Sequence, residues 1–222
     1  MTDSVIAAPV PIESARGADG DVAVRGISFE DYLRLYEGQY AEWFPPDEVR
    51  VYVANNLEHQ DLLSYLDMLL RLFLRWTKLG KHYIAGVPMK TEVGKPGREP
   101  DIMIILNEHL DRLTETYVIG AADIVVEIIS LESRGRDLDD KFKEYAQSGV
   151  PEYWLFDPDN EAVDLHTLVE RDGKRLYVRV QPNAQGRIAS RVLPGMILDP
   201  LWLDAEKRPE DDAMIKHMAG KQ

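Results

Sequence analysis

The 222-residue chain contains no cysteine, which excludes disulfides, thiolate metal sites and cysteine nucleophiles and is compatible with a reducing cytoplasm. Any metal it holds must therefore be bound through oxygen or imidazole. No apolar stretch approaches the roughly 18 to 20 residues that span a bilayer, and the N-terminus shows no basic region followed by an apolar block. The expectation is a soluble, cytoplasmic protein with no membrane partner. Basic charge is also scarce: 26 Lys and Arg stand against 39 Asp and Glu, a net charge of −13. This argues against indiscriminate adhesion to nucleic acid, because phosphate binding needs a basic surface whose neutralisation releases counterions. Gly94, Gly97 and Gly135 form no phosphate-loop motif, no serine has a recognisable nucleophile setting, and His82, His109, His166 and His217 lack metal-ligand spacing.

The size allows one domain with tails. Residues 1–20, rich in Ala, Pro, Ser and Gly without apolar periodicity, read as a flexible N-terminal tail, residues 21–205 as the domain, and 206–222 as a C-terminal tail. Ser28 and Asp31 form a capping box for a short helix over 28–37, and Pro45-Pro46 separates it from a strand at 49–53. Leu62, Leu63, Leu66, Leu69, Leu70, Phe73 and Leu74 follow helical spacing over 57–78, the main core helix, with Gly80 as its stop. Strands are expected at 83–87, 102–106, 124–129, 152–156, 163–168 and 176–180. The run 124–129 is apolar on both faces and so belongs in mid-sheet. Residues 136–147 form a helix before the next strand, and the strand–helix–strand order implies a parallel crossover. The fold class is α/β, a mixed sheet with helix 57–78 on one side and helix 136–147 on or beside the other.

The chemistry concentrates in three carboxylate groups: Glu99-Pro100-Asp101, then Asp123 to Ser130 with Glu127 inside it, then Asp137-Leu138-Asp139-Asp140-Lys141. A carboxylate costs several kcal/mol to bury, so Glu127 in so apolar a strand needs a cation or a hydrogen-bonding partner. Asp123 and Glu127 share a face, but four residues at about 3.3 Å each separate them by roughly 13 Å, too far to hold one small cation. The second ligand must come from a neighbouring strand, and Asp101 is the best candidate. Lys141 lies on one helix face with Asp137 and Tyr145. It could assist a metal-bound water, or Asp137 and Lys141 could be an ordinary exposed ion pair. Glu58 and His59 open the long helix, and either could point into the cleft. Lys90, Lys95 and Arg98 precede Asp101, while Arg134 and Arg136 precede Lys141. They are candidate nucleic-acid contacts or, interleaved with acidic residues as they are, solvated loop charge.

The segment ADIVVEIISLESRGRDLDDKFKEYAQSGVPEYWLFDP resembles the Uma-two-type restriction endonuclease family, a branch of the PD-(D/E)XK nuclease superfamily. The matching elements are the Asp-to-Glu strand ending in Ser130, the Asp137-to-Lys141 spacing, Tyr145, and Gly149 to Trp154 leading to Asp157-Pro158. Pro100-Asp101 lies upstream as in that family, and His59 matches a histidine often found there. The resemblance spans roughly residues 26–205 and implies a restriction-endonuclease-like core. By analogy Asp101 and Glu127 are metal ligands, with the backbone carbonyl of Ile128 as a third and magnesium or manganese as the cofactor. Ile129 stands where the superfamily has its lysine, which implies that Lys141 on the following helix takes that role. A flexible ammonium can reach the same point from a different backbone position.

The expected function is metal-dependent endonucleolytic hydrolysis of DNA, with Asp101, Glu127 and Lys141 as catalytic residues. The rival is a catalytically silent nuclease-like dimerisation or nucleic-acid-binding module, favoured by the low basic charge. The resemblance also makes a homodimer plausible, with the C-terminal strands and Trp202 as contact surface.

Overall fold

The computed structural model describes residues 14–16, 21–52, 56–92 and 95–209. Strands appear in the order β1 (Ser14–Arg16), β2 (Val22–Arg25), β3 (Ala41–Phe44), β4 (Glu48–Val51), β5 (Gly80–Ile84), β6 (Met89–Lys90), β7 (Gly97–Arg98) and β8 (Ile102–Leu106). They continue as β9 (Val118–Ile119), β10 (Ile124–Ile128), β11 (Glu152–Asp157), β12 (Ala162–Arg171), β13 (Lys174–Arg179), β14 (Ile188–Ala189) and β15 (Ile197–Leu198). The helices are α1 (Phe29–Leu35), α2 (Leu57–Thr77) and α3 (Lys141–Ser148). One mixed sheet runs β13-β12-β11-β10-β8-β5, a second runs β1-β2-β4-β3-β7-β6-β9, and β14 pairs with β15.

The two-faced apolar run at 124–128 does sit in mid-sheet, parallel to β11 and antiparallel to β8. Ile124, Val126 and Ile128 join Leu62, Leu66, Leu69, Leu70 and Phe73 of α2 in one core. Val125 packs on the opposite face with Tyr145 and Ala146 of α3. Each fully buried Leu or Ile is worth about 1.5–3 kcal/mol, so the sheet is clamped by burial on both sides. The β10–α3–β11 crossover and the α1 cap also match expectation: the Ser28 side chain accepts the Asp31 N–H.

Differences have local causes. Helix α2 ends where Lys78 turns left-handed, φ 56°. Gly80 belongs to β5 rather than to the helix stop, which moves that strand upstream of the expected 83–87. A Cβ at Gly80 would lie 2.3 Å from the Ile105 carbonyl oxygen, so only glycine allows β8 this close. Of the second sheet only β4 was foreseen, as the strand at 49–53, because the strands are two to four residues long and carry little alternation. Its β1 lies within the segment expected to be tail and pairs with β2; the remainder of 1–20, and 210–222 of the C-terminal segment, lie outside the described residues, as does His217. Trp202, expected on a dimer surface, is 7% exposed, stacks on Phe156 and meets Tyr65 edge-on: it is core. No helix among the described residues is long and apolar enough to cross a membrane.

Candidate active site

Strands β8 and β10 pair antiparallel with Val126 opposite Ile102, and one further step of this register sets Glu127 opposite Asp101. Glu127 emerges on the α3 face and Asp101 reaches His59 of α2, and both are buried. Asp101 Oδ2 accepts the Ile128 backbone N–H at 2.7 Å and is 3.1 Å from His59 Nε2. Asp101 Oδ1 is buried with no hydrogen-bond partner among the described residues. The hydrogen bonds accepted by Glu127 both fall on Oε1, from Lys141 Nζ at 2.8 Å and Tyr145 OH at 2.9 Å. Each carboxylate thus commits one oxygen to the protein.

Lys141 is 1% exposed. Its ammonium also stands 3.2 Å from Asp137 Oδ1, close enough for an ion pair though not aligned as a hydrogen bond, and 3.6 Å from Glu42 Oε1. Glu42, on β3 of the second sheet, accepts Arg98 Nη1 at 2.7 Å and Tyr52 OH at 3.0 Å through Oε2. Arg98 in turn grips both oxygens of Glu144 at 2.8 and 2.9 Å. Alternating charges therefore run Glu144, Arg98, Glu42, Lys141, Glu127, from one sheet to the other across α3.

The electrostatics follow from this burial. Desolvation alone would raise the Glu42 carboxyl, but Arg98 and Lys141 carry it down to about 2. Burial pushes Glu127 up against the pull of Lys141, with Asp137 and Asp101 adding to the rise. Burial works against the Lys141 ammonium, yet Glu127, Asp137 and Glu42 hold it well above the ordinary lysine range. Glu99 is raised to about 8, first by burial and then by Glu42, while the Tyr32 hydroxyl it accepts opposes the shift.

The buried carboxylate of Glu152 shows what a purely structural one looks like. Glu152 accepts the N–H groups of Arg191 and Val192 on Oε1, and Trp154 Nε1 and Ser190 Oγ on Oε2. Four donors satisfy it completely, unlike Asp101.

The family model described as "Uma2: Putative restriction endonuclease" matches residues 29–201. The chain belongs to this family. The crystal structure of a putative nuclease belonging to DUF820 from Anabaena variabilis ATCC 29413 is similar in fold, with a TM-score of 0.60 at 14% identity over 81% of this chain and 98% of that one. No curated protein matches the chain.

Of the residues singled out in the sequence, this Uma2 chain brings Asp101, Glu127, Lys141, His59, Asp137 and Tyr145 into one cluster, and sets the Ile128 backbone against Asp101. Asp137 and Lys141 are not the exposed pair that was the alternative reading. Glu58 is exposed on the first turn of α2 and does not join them. Among the basic residues, Arg98 is buried in its two ion pairs and is not free to meet a substrate. Arg134 is held bidentate by Asp157. Lys90 donates to the Lys95 carbonyl and lies over the Trp43 ring at 3.8 Å; Lys95 is half-buried. The Arg136 guanidinium has neither a hydrogen bond nor an ion pair to another described residue, only a ring contact with Tyr52. Sequence reading missed Glu42 and Tyr52. The available signal was a carboxylate between Ala41 and Trp43, the same anomaly that drew attention to Glu127.

Proposed function

We propose that this Uma2 protein is a magnesium- or manganese-dependent endonuclease that hydrolyses DNA phosphodiesters at Asp101, Glu127 and Lys141. The observation that carries this reading is Asp101 Oδ1, a buried carboxylate oxygen without a donor beside a second carboxylate. Such an atom costs several kcal/mol unless a cation or donor meets it. The donor set suits a hard cation of the magnesium type, which takes one or two protein carboxylates and keeps several waters. Among the described residues no three His, Cys, Asp or Glu side chains gather as a metal cage. Asp101, Glu127 and the Ile128 carbonyl would be the protein ligands. The bound ion would supply Lewis acidity and a more acidic water.

His59 and the Ile128 N–H fix Asp101, and Tyr145 fixes Glu127. Lys141, kept charged by three carboxylates, acts as a cationic donor toward negative charge developing on the phosphoryl oxygens rather than as a base. The rival, a silent nuclease-like binding module, is favoured by one observation: Arg98 and Arg134 are spent on protein carboxylates instead of a DNA surface.

Calorimetric titration of manganese into the wild type, Asp101→Asn and Glu127→Gln, with nicking of supercoiled plasmid in parallel, tests the reading. Binding and nicking by the wild type, both lost in variants that still unfold cooperatively, is the expected result. A folded wild type that neither binds manganese nor nicks would put the binding module in its place.

A further inference from the structure

We propose that Arg136, laid on the Tyr52 ring, is the residue that grips a DNA phosphate at this site, an inference that rests on the nuclease reading above. Three observations support it. First, the Arg136 guanidinium lies 3.9 Å over the Tyr52 ring, and its Nε is buried without a partner. No carboxylate among the described residues comes within ion-pair distance, whereas Arg98 and Arg134 are each saturated by two. Glu42 and Asp137 act on the guanidinium only from beyond ion-pair distance, so its N–H groups stay open, and its planar fork matches phosphate oxygens two at a time.

Second, the chain is wound as a π turn over Arg136–Asp140, closed by the Lys141 N–H donating to the Arg136 carbonyl. In an ordinary α-helix, residues five apart diverge by roughly 140°. The wider turn, with its bond across five residues, brings Arg136 and Lys141 toward a common face. The Glu42 carboxylate acts electrostatically on both.

Third, the stacking platform is itself fixed. The Tyr52 hydroxyl donates to Glu42 at 3.0 Å, and Glu42 is anchored by Arg98, so the ring cannot swing away without breaking that bond. Stacking sets the plane of the guanidinium and leaves its edge for an anion. The surrounding carboxylates, Glu42, Asp101, Glu127 and Asp137, would otherwise repel a phosphodiester. An uncommitted guanidinium beside them gives the substrate phosphate an opposite charge to meet.

The test measures binding of a short labelled DNA duplex by fluorescence anisotropy over a salt series, in proteins that all carry Glu127→Gln to prevent turnover. Manganese titration and plasmid nicking are run on the same Arg136 substitutions without Glu127→Gln. Arg136→Gln should reduce the salt slope by about 0.9, the value for one lost phosphate contact on B-DNA. Its affinity should fall roughly ten- to hundredfold, the range for a charge-assisted pair, with manganese binding unchanged. Arg136→Lys, which keeps the charge but not the fork, should keep the slope and recover only part of the affinity. An unchanged slope and affinity in Arg136→Gln, with a wild type that binds manganese and nicks, overturns this inference alone. A wild type that does neither overturns the nuclease reading and this inference with it. Should Arg136→Gln melt early, Arg136→Lys decides: full wild-type affinity there overturns the bidentate grip.

Discussion

Replacing Lys141 by Met removes the one cation shared by Glu127, Asp137 and Glu42 and leaves a side chain of similar length. Removing one partner of a buried ion pair costs about 3–5 kcal/mol, because the remaining charge stays desolvated. For a domain of 150–250 residues, 1 kcal/mol moves the melting temperature by about 2–4 °C, so Lys141→Met should melt about 6–20 °C below wild type in EDTA. Glu127→Gln should cost less, since Lys141 keeps Asp137 at 3.2 Å and Glu42 at 3.6 Å. Manganese sharpens the contrast. An ion held by the native state alone stabilises by about 2.7 kcal/mol at a hundredfold excess over Kd. In Lys141→Met the ion would also replace the missing positive charge, so added manganese should raise its melting temperature by more than it raises that of the wild type. Differential scanning calorimetry in EDTA and in manganese checks both. A metal-free Lys141→Met protein that melts within about 2 °C of wild type would refute the account of Lys141 as the neutralising centre of the buried acids.

Two further outcomes follow from other buried carboxylates. Burial raises Glu99 to about 8, above its ordinary value of 4.5. Its stabilising contribution is therefore fully present below about 4.5 and lost as pH rises through about 8, so Glu99→Gln measured in EDTA should lose less stability than wild type between pH 5 and 8. Equal pH slopes in urea titrations would refute this. Glu152→Ala strands four donors, of which the buried Trp154 Nε1 and Ser190 Oγ are each worth about 1–3 kcal/mol, and should lower the urea midpoint substantially while leaving manganese affinity intact in the folded protein. A midpoint like that of the wild type would show that the loop at 190–192 is held by something else.

The central sheet was legible because its physics is local. A strand apolar on both faces, as at 124–128, has nowhere to be but mid-sheet, and the 3.6-residue spacing of α2 needs no partner to be seen. The carboxylate pair was legible for the same reason, since Glu127 is anomalous within its own strand. What stayed hidden depends on partners distant in sequence. Arg98 looks like any loop charge until Glu42 and Glu144, 56 and 46 residues away, are found beside it. Glu58 and His59 are adjacent, and only the direction in which α2 meets β8 decides which one reaches Asp101. The π turn gives no sign in a sequence that reads as ordinary helix from 136 onward.

The charge chain from Glu144 to Glu127 crosses from one sheet to the other, so the acidic cluster is a seam rather than a pocket within one layer. A shortened chain beginning at α2 would retain Asp101, Glu127 and Lys141 and so pass any inspection for the proposed catalytic set. It would nonetheless lack Glu42 and Tyr52, opening the Lys141 ammonium to water and removing the ring beneath Arg136. The unit that keeps this environment intact therefore extends well upstream of Asp101, Glu127 and Lys141. Fragments and chimaeras designed around the Asp, Glu and Lys positions alone would inherit the motif without the environment that gives it its charge.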